Sequence, residues 1–378
     1  MKKNIIAIAL GIVAPLPCLA QSSVTLYGII DEGLTVTTNQ AGHRNYQLSS
    51  LGLQASRWGF KGREDLGSGT AAIFVLESGF DPTSGTLGQG GRIFGRQAYV
   101  GLSTRYGTFT TGRQYGPVVD SFQSLTINGG LAGPMFAHPL DNDDTDNTYH
   151  SNNSIKYQLP NISGLTGSIQ YAFSNAAGDF ANNRMWGTAL NYAHGPLVVA
   201  GTFEVFDSPG LHTGTAANPN GAIVDGSIIS SRQTITGFGA NYTVGSAKLG
   251  LVWTHTQFFN VGAAGNSGIS YRFNNYEANV TYQFTPAVLA ALAYTYTTTN
   301  ISDPGSAERQ SKIHQIGGLL DYALSKRTDV YTELAYQHAG GGALFANASG
   351  SPVANIYLLP TSSTQNQAIL RVGMRHKF

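Results

Sequence analysis

The chain has 378 residues, of which only 11% are charged, about half of the roughly 25% typical of soluble domains. Its formal net charge is +1, so no strongly basic surface is available for a nucleic-acid partner. Outside the amino terminus, no run of about 20 apolar residues could form a membrane helix. Apolar residues are instead spread along the chain, as they are in a barrel whose strands present every second residue to lipid.

Residues 1–20 are predicted to be a cleaved signal peptide. Two lysines follow Met1, an apolar run covers residues 5–14, and Ala20 is the small residue before the expected cut. The run is too short for a membrane anchor. Because Cys18 is the only cysteine, residues 21–378 are predicted to be one domain without disulfides.

The mature chain is predicted to contain sixteen strands. In the second strand, Trp58 and Phe60 alternate with Arg57 and Lys61, and this period of two indicates a sheet with one apolar and one polar face. The predicted strands cover residues 24–36, 54–64, 72–77, 92–103, 107–115, 149–159, 164–174, 184–194, 197–206, 232–243, 248–258, 271–284, 288–299, 312–324, 329–338 and 365–378.

Short and long connections alternate along the chain. The short ones are residues 65–69, 104–106, 160–163, 195–196, 244–247, 285–287 and 325–328. The longest ones are polar and cover residues 37–53, 116–148, 207–231 and 339–364. Bacterial outer-membrane barrels have short periplasmic turns, longer external loops and an even number of strands. The predicted fold class is therefore an all-β, transmembrane antiparallel β-barrel.

The last predicted strand is amphipathic. Leu370, Val372 and Met374 fall on one face, whereas Arg371 and Arg375 fall on the other. A soluble β-protein would leave such an edge strand unpaired and prone to aggregation. The pattern therefore favours a barrel that is closed by its final strand.

Several stretches resemble the trimeric general porins of Gram-negative outer membranes, most of all their beta-proteobacterial branch. They are SVTLYG at residues 23–28, SRWGFKGREDLG at 56–67, GRQAYVGL at 95–102, GTFTTGRQYG at 107–116 and RHKF at 375–378, with a weaker match, NNSIKY, at 152–157. The resemblance implies a homotrimer surrounded by outer-membrane lipid and lipopolysaccharide. It also implies a water-filled channel through which small hydrophilic solutes and ions diffuse passively, without a cofactor.

In the family that this chain resembles, the loop after the fifth strand folds into the barrel and narrows the pore, which here would be residues 116–148. The resemblance puts wall arginines at Arg57 and Arg96, and a third wall position at His150, a residue that titrates near neutrality. The other residues predicted to lie at the constriction or in the lumen are Arg113, Asp120, Glu77 and Asp31. Residues 121–140 contain no carboxylate, so a mild preference for anions is expected.

The sequence contains little sign of a metal-binding or catalytic site. The acidic run at residues 141–146 lacks the Gly and Glu that complete a calcium loop. The nine histidines have no metal-ligand spacing, and no Gly-x-Ser-x-Gly motif occurs. Neither an enzyme nor a metal or cofactor site is predicted.

Three other functions stay open at this point. A substrate-specific channel would need a ladder of aromatic or arginine side chains in its lumen, and an adhesin would need only the long external loops. A secreted soluble β-protein is opposed by the alternation of short and long connections.

Overall fold

The computed structural model describes residues 23–50, 52–209, 221–222, 228–262 and 266–378. These residues form seventeen strand segments in one sheet. The segments are Ser23–Gln40 (β1), His43–Ser50 (β2), Arg57–Gly67 (β3), Thr70–Gly79 (β4), Gln97–Thr104 (β5), Gly107–Tyr115 (β6), His150–Gln158 (β7), Leu165–Ala172 (β8), Met185–His194 (β9), Leu197–Asp207 (β10), Arg232–Val244 (β11), Ala247–Phe259 (β12), Ser270–Thr285 (β13), Val288–Ser302 (β14), Arg309–Ala323 (β15), Thr328–Gly341 (β16) and Asn366–Lys377 (β17).

The sheet closes on itself as a sixteen-stranded antiparallel barrel. β17 pairs with β1 from Ile29–Lys377 to Thr37–Ile369, so neither terminal strand has a free edge. β2 and β3 pair with the upper and lower halves of β1. They are therefore two halves of the second barrel strand, separated by residues 51–56, and the predicted number of sixteen strands is confirmed.

The period of two in the sequence separates the two faces of the wall. On β11, Phe238 is exposed, whereas Ile235 and Gln233 on the other face are fully buried. The exposed face of the wall carries large apolar and aromatic side chains, including Leu251 on β12 and Leu292 on β14. A barrel in lipid requires this arrangement, because its outer surface contacts hydrocarbon.

The short connections are as predicted. The last pair of β9 and β10 is His194–Leu197, so two residues form their turn. The last pair of β11 and β12 is Val244–Ala247, again with a turn of two residues. The long connections lie at the opposite end of the barrel. We refer to the end with the short turns as periplasmic and to the other as external.

Two predicted boundaries are wrong. Residues 37–53 were expected to form a loop, but β1 continues to Gln40 and turns tightly at Ala41 and Gly42 into β2. The fourth barrel strand was expected to begin at Arg92 but begins at Gln97, after a short helical turn at Gly88–Gly91. In both places the sequence is polar or glycine-rich, so hydrophobic alternation cannot mark where a strand begins or ends.

The predicted signal peptide, residues 1–20, lies outside the described residues. Within the described ranges, no helix has the length and apolar character needed to cross a membrane.

Candidate pore constriction

The connection between β6 and β7 lies against the face of the wall opposite the lipid-exposed one. Phe122 and Leu125 of this connection are buried, and so is Phe136. The wall has glycines where these side chains approach it. A Cβ atom at Gly237 would come within 2.8 Å of the Phe122 ring, and one at Gly317 would collide with the Phe136 ring. The missing side chains of the wall therefore make room for the apolar side chains of the connection.

Hydrogen bonds from the wall hold the backbone of the same connection. The Val118 amide donates to Glu204 Oε1 over 2.8 Å, and the Ile127 amide donates to Glu277 Oε1 over 2.8 Å. The Gln315 amide group donates to the Met135 carbonyl over 3.2 Å. Because this irregular backbone cannot satisfy its polar groups internally, side chains of the wall supply the partners.

His138 is fully buried between Asp143 of the connection and Glu277 of the wall. Its Nδ1 lies 2.6 Å from Asp143 Oδ2 and its Nε2 lies 3.2 Å from Glu277 Oε2. Burial alone would lower the pKa of His138, but the charges and hydrogen bonds of the two carboxylates raise that pKa to about 10. The imidazolium is thus a charged bridge between the connection and β13.

The acidic run after His138 shapes the backbone of the connection. Asp141 accepts from the amides of Asp146 and Thr148 over 2.8 and 3.2 Å, and Asp144 accepts from the Tyr149 amide over 2.8 Å. Burial and the neighbouring Asp143 raise the pKa of Asp141 to about 6. Among the described residues, no group of three or more His, Cys, Asp or Glu side chains is arranged to hold a metal ion.

Two further segments lie on the same face of the wall, and neither was predicted from the sequence. Residues 52–56 turn inward between β2 and β3, where Asp31 Oδ2 accepts from the amides of Leu53 and Gln54 over 2.9 and 3.0 Å. Residues 353–359, between β16 and β17, bury Ile356 in one apolar cluster with Leu53 and Phe136. We call this cluster the inner cluster; it joins all three segments.

A cavity of about 230 Å³ separates the β6–β7 connection and residues 53–55 from one side of the wall. Its lining includes Arg57 from β3, Glu77 from β4 and Arg96 just before β5. Arg96 Nε lies 2.9 Å from Glu77 Oε1, and Arg57 Nε lies 3.7 Å from Glu77 Oε2. One carboxylate therefore lies between two guanidinium groups. Tyr27 also donates to Glu77, over 2.9 Å.

The opposite side of the cavity is formed mainly by uncharged groups. Its members on the inward connection are Val119, Gln123, Asn128, Gly129, Gly133, Pro134, Asp146 and Asn147. Asp146 is the ionisable residue among them. Burial and the nearby Asp141 raise its pKa well above that of an ordinary aspartate, although Arg96 acts in the opposite direction. Asp146 therefore loses its negative charge at a higher pH than an ordinary aspartate, and Arg57 and Arg96 outnumber Glu77 on the wall side of the cavity.

The remaining predicted site residues lie around the cavity rather than on its lining. Asp31 is buried and also accepts from the Tyr331 hydroxyl over 2.5 Å. Asp120 pairs with Lys156 Nζ at 2.6 Å. Both carboxylates therefore have partners within the protein that fix the segments lining the cavity.

Arg113 and His150 lie near the external ends of β6 and β7. Arg113 donates to the carbonyls of Gly95 and His150 over 2.6 and 2.9 Å, which ties the β4–β5 connection to β7. The His150 ring lies 5.0 Å from the ring of Tyr115, which lines the cavity. A role for either side chain in ion passage stays a prediction.

The family model for Gram-negative porins matches residues 6–342 of this chain. The chain belongs to the Gram-negative porin family. As in its relatives, the closed barrel is that of an outer-membrane porin, a channel-forming protein of the bacterial outer membrane.

Relatives align with this porin over its full length. It is 30% identical over 419 residues to an outer membrane porin protein of Bordetella pertussis, covering 100% of both chains. It is 29% identical over 384 residues to outer membrane porin protein 32 of Delftia acidovorans, again covering 100% of both. The prediction of a porin related to the beta-proteobacterial branch is confirmed.

Solved porin structures share the fold. An anion-selective porin from Comamonas acidovorans superposes with a TM-score of 0.73 at 26% identity, covering 95% of this chain and 100% of that one. OmpT of Vibrio cholerae superposes with a TM-score of 0.63 at 14% identity, covering 94% of this chain and 98% of that one. The second likeness concerns the fold alone.

Proposed function

We propose that this porin passes small hydrophilic solutes by passive diffusion and favours anions at a constriction formed by residues 116–148 together with residues 52–56. One observation carries the selectivity: Arg57 and Arg96 share one carboxylate, Glu77. The facing connection has no carboxylate from residue 121 to residue 140. Fixed positive charge lowers the barrier for anions and raises it for cations.

Rigidity supports this proposal as much as charge does. Arg96 is almost fully buried and bonded to Glu77, so its guanidinium does not have to reorganise when an ion passes. The anion-selective porin of Comamonas acidovorans, with which this chain shares its fold at 26% identity, is a solved relative with the proposed property. The constriction acts without catalysis or a cofactor, since diffusion needs neither.

The protein is proposed to work as a homotrimer, like other general porins, after a signal peptide covering residues 1–20 is removed. The wall has an exposed apolar surface all round, so lipid, lipopolysaccharide and neighbouring copies are its surroundings. Arg113, His150, Asp120 and Asp31 are proposed to support the constriction by fixing the positions of its segments.

The test is single-channel recording in a planar bilayer under a salt gradient. We expect ohmic steps with a reversal potential biased toward anions, and a shift toward cations in Arg57→Ala and in Arg96→Ala. Arg63→Ala is the matched control, because Arg63 lies on the same face of β3 as Arg57 but does not line the cavity. Equal reversal potentials in all four proteins would refute the charged constriction and leave the channel itself intact.

A further inference from the structure

The outer wall has an apolar groove across strands β8–β11. It encloses about 560 Å³ and exists because Gly201 on β10 has no side chain. Gly201 pairs with Leu190 on β9 and with Phe238 on β11. Both of these side chains are about half exposed or more. Val199 and Phe203 complete the groove along β10. Its walls therefore match a hydrocarbon chain in shape and polarity.

At the external ends of the same strands, three charged side chains form a row on the outer face. Arg184 and Arg232 each donate through Nε to a different oxygen of Asp207, both over 2.8 Å. Asp207 is largely buried, whereas Arg232 is half exposed and Arg184 is about a quarter exposed. Two guanidinium groups against one carboxylate leave a formal charge of +1 on this row, which we call the arginine row.

The arginine row is held in place from both sides. Asp207 bonds the two guanidinium groups through Nε, the atom nearest the side-chain stem. The Arg184 guanidinium also lies 5.7 Å from the centre of the Phe180 ring, where a cation is attracted to the aromatic face. Two forked donors fixed side by side suit the geometry of a phosphate group.

The distance between the arginine row and the groove fits a lipid of one leaflet. Phe203 lies four residues below Asp207 on β10, and Thr236 lies four residues below Arg232 on β11. Four residues of strand span about 13 Å, close to half of the roughly 30 Å hydrocarbon thickness of a bilayer. A headgroup at the row would therefore direct its acyl chain down the wall into the groove.

We propose that the arginine row and the groove together bind a phosphate-bearing lipid of the outer leaflet, with its phosphate on Arg184 and Arg232 and an acyl chain beside Gly201. The occupant is a lipid rather than free phosphate because the row lies directly above lipid-facing aromatic residues, Trp186 and Phe203. It is an anionic lipid because, within the described part of the chain, the two guanidinium groups of the row are paired with one carboxylate, Asp207. This site lies outside the channel and does not depend on the selectivity proposed for the constriction.

The test is native mass spectrometry of the purified porin with diphosphorylated lipid A, with its dephosphorylated form and with inorganic phosphate. The triple variant Arg184→Gln/Asp207→Asn/Arg232→Gln removes the charges without leaving the buried carboxylate unpaired. We expect the triple variant to bind the phosphorylated lipid about tenfold more weakly, which corresponds to the loss of at least one charge-assisted hydrogen bond. Its affinity for the dephosphorylated lipid should not change. Gly201→Leu fills the groove and should weaken both lipids.

Arg272→Gln is the control, because Arg272 is an exposed arginine on the outer face of β13 whose partner is Glu308. Unchanged single-channel conductance in every variant shows that the barrel is folded. Equal lipid binding by the triple variant and the control would overturn the proposal. So would inorganic phosphate binding as tightly as the lipid, or a change of oligomeric state in Gly201→Leu, which would assign the groove to a second copy of the chain.

Discussion

The two halves of the inward connection are held against the wall by different forces. Residues 118–136 pack mainly through apolar side chains, with Phe122 and Phe136 over glycines of the wall, and two of their backbone amides donate to wall carboxylates. Residues 138–148 rely on charges and on carboxylates that accept from backbone amides, with His138 bridging Asp143 and Glu277. Both halves are buried to a similar degree, but the charged bridge of His138 lies in the second half.

This difference shows how one loop both packs against the wall and controls which charged groups reach the cavity. Apolar packing of the first half leaves its surface at the cavity free of carboxylates, so the arginines of the wall keep their influence. The second half contains the acidic residues. Asp141 and Asp144 accept from backbone amides and Asp143 pairs with His138. Burial and neighbouring carboxyl groups raise the pKa of Asp141 and Asp146.

Glu277 contacts both halves, since it accepts from the Ile127 amide and lies 3.2 Å from His138. The predictions below test how far the halves are independent despite this shared contact.

The largest effect is expected from His138→Ala. The substitution leaves Asp143 and Glu277 buried without their cation, which destabilises the attachment of the second half by about 3–5 kcal/mol. Amide hydrogen exchange of residues 138–148 should speed up and channel noise should rise. His194→Ala, at an exposed histidine on β9, is the control. Unaltered exchange in His138→Ala would show that the charged bridge does not hold the loop.

Phe136→Ala should affect the first half. Removal of this ring leaves a void in the inner cluster and costs about 3 kcal/mol. We expect faster hydrogen exchange in residues 118–136 and a larger conductance, because this side of the cavity loses its support. Phe109→Ala, on the exposed outer face of β6, should change neither. Faster exchange that extends equally to residues 138–148 would contradict the independence of the two halves.

Alkaline pH should separate the halves without mutation. The pKa of His138 is raised to about 10 from an ordinary value near 6.5. Its contribution to stability is therefore complete below about pH 6.5 and is lost as pH rises through about 10. Hydrogen exchange corrected for its intrinsic pH dependence should show residues 138–148 loosening above about pH 10 while residues 118–136 stay protected. The loosening step should be absent in His138→Ala.

The smallest effect is expected from Asp146→Asn. Because burial and Asp141 raise the pKa of Asp146, its charge is lost at a higher pH than that of an ordinary aspartate. Lowering the pH should therefore increase the anion preference of the wild type, and Asp146→Asn should have that preference already at neutral pH. The reversal potential measured at about pH 8 and about pH 5 is the test. A pH dependence of equal size in the variant would assign the titration to another group.

The barrel wall was largely predictable from the sequence. The last strand, expected at residues 365–378, is Asn366–Lys377, since alternation of apolar and charged residues directly reports two faces with different solvents. The first hairpin was missed because β2 rises into a polar region, where neither face needs apolar residues. Arg57 and Arg96 were found together, but only through a family resemblance.

The inward segments at residues 52–56 and 353–359 had no signal in the sequence. Residues 52–56 turn inward because Asp31, more than 20 residues earlier, accepts from two of their amides. Residues 353–359 are held by Gln337 and Gln367 of the neighbouring strands, which accept from the amides of Asn355 and Ile356. Contacts of this kind join residues that are distant in the chain and follow no period.

The sequence by itself determined the sixteen strands, the direction of their apolar faces and the alternation of short and long connections, whereas the export signal at residues 1–20 stays a prediction. These features follow from local composition and from a two-residue repeat. Only the tertiary structure decided which carboxylates face the cavity and which accept hydrogen bonds from backbone amides. It also decided that Glu77 is shared by Arg57 and Arg96, and that a missing side chain at Gly201 opens a groove on the outer wall. The physical reason is that closure of the barrel sets which distant residues become neighbours, and charge and packing act between neighbours in space.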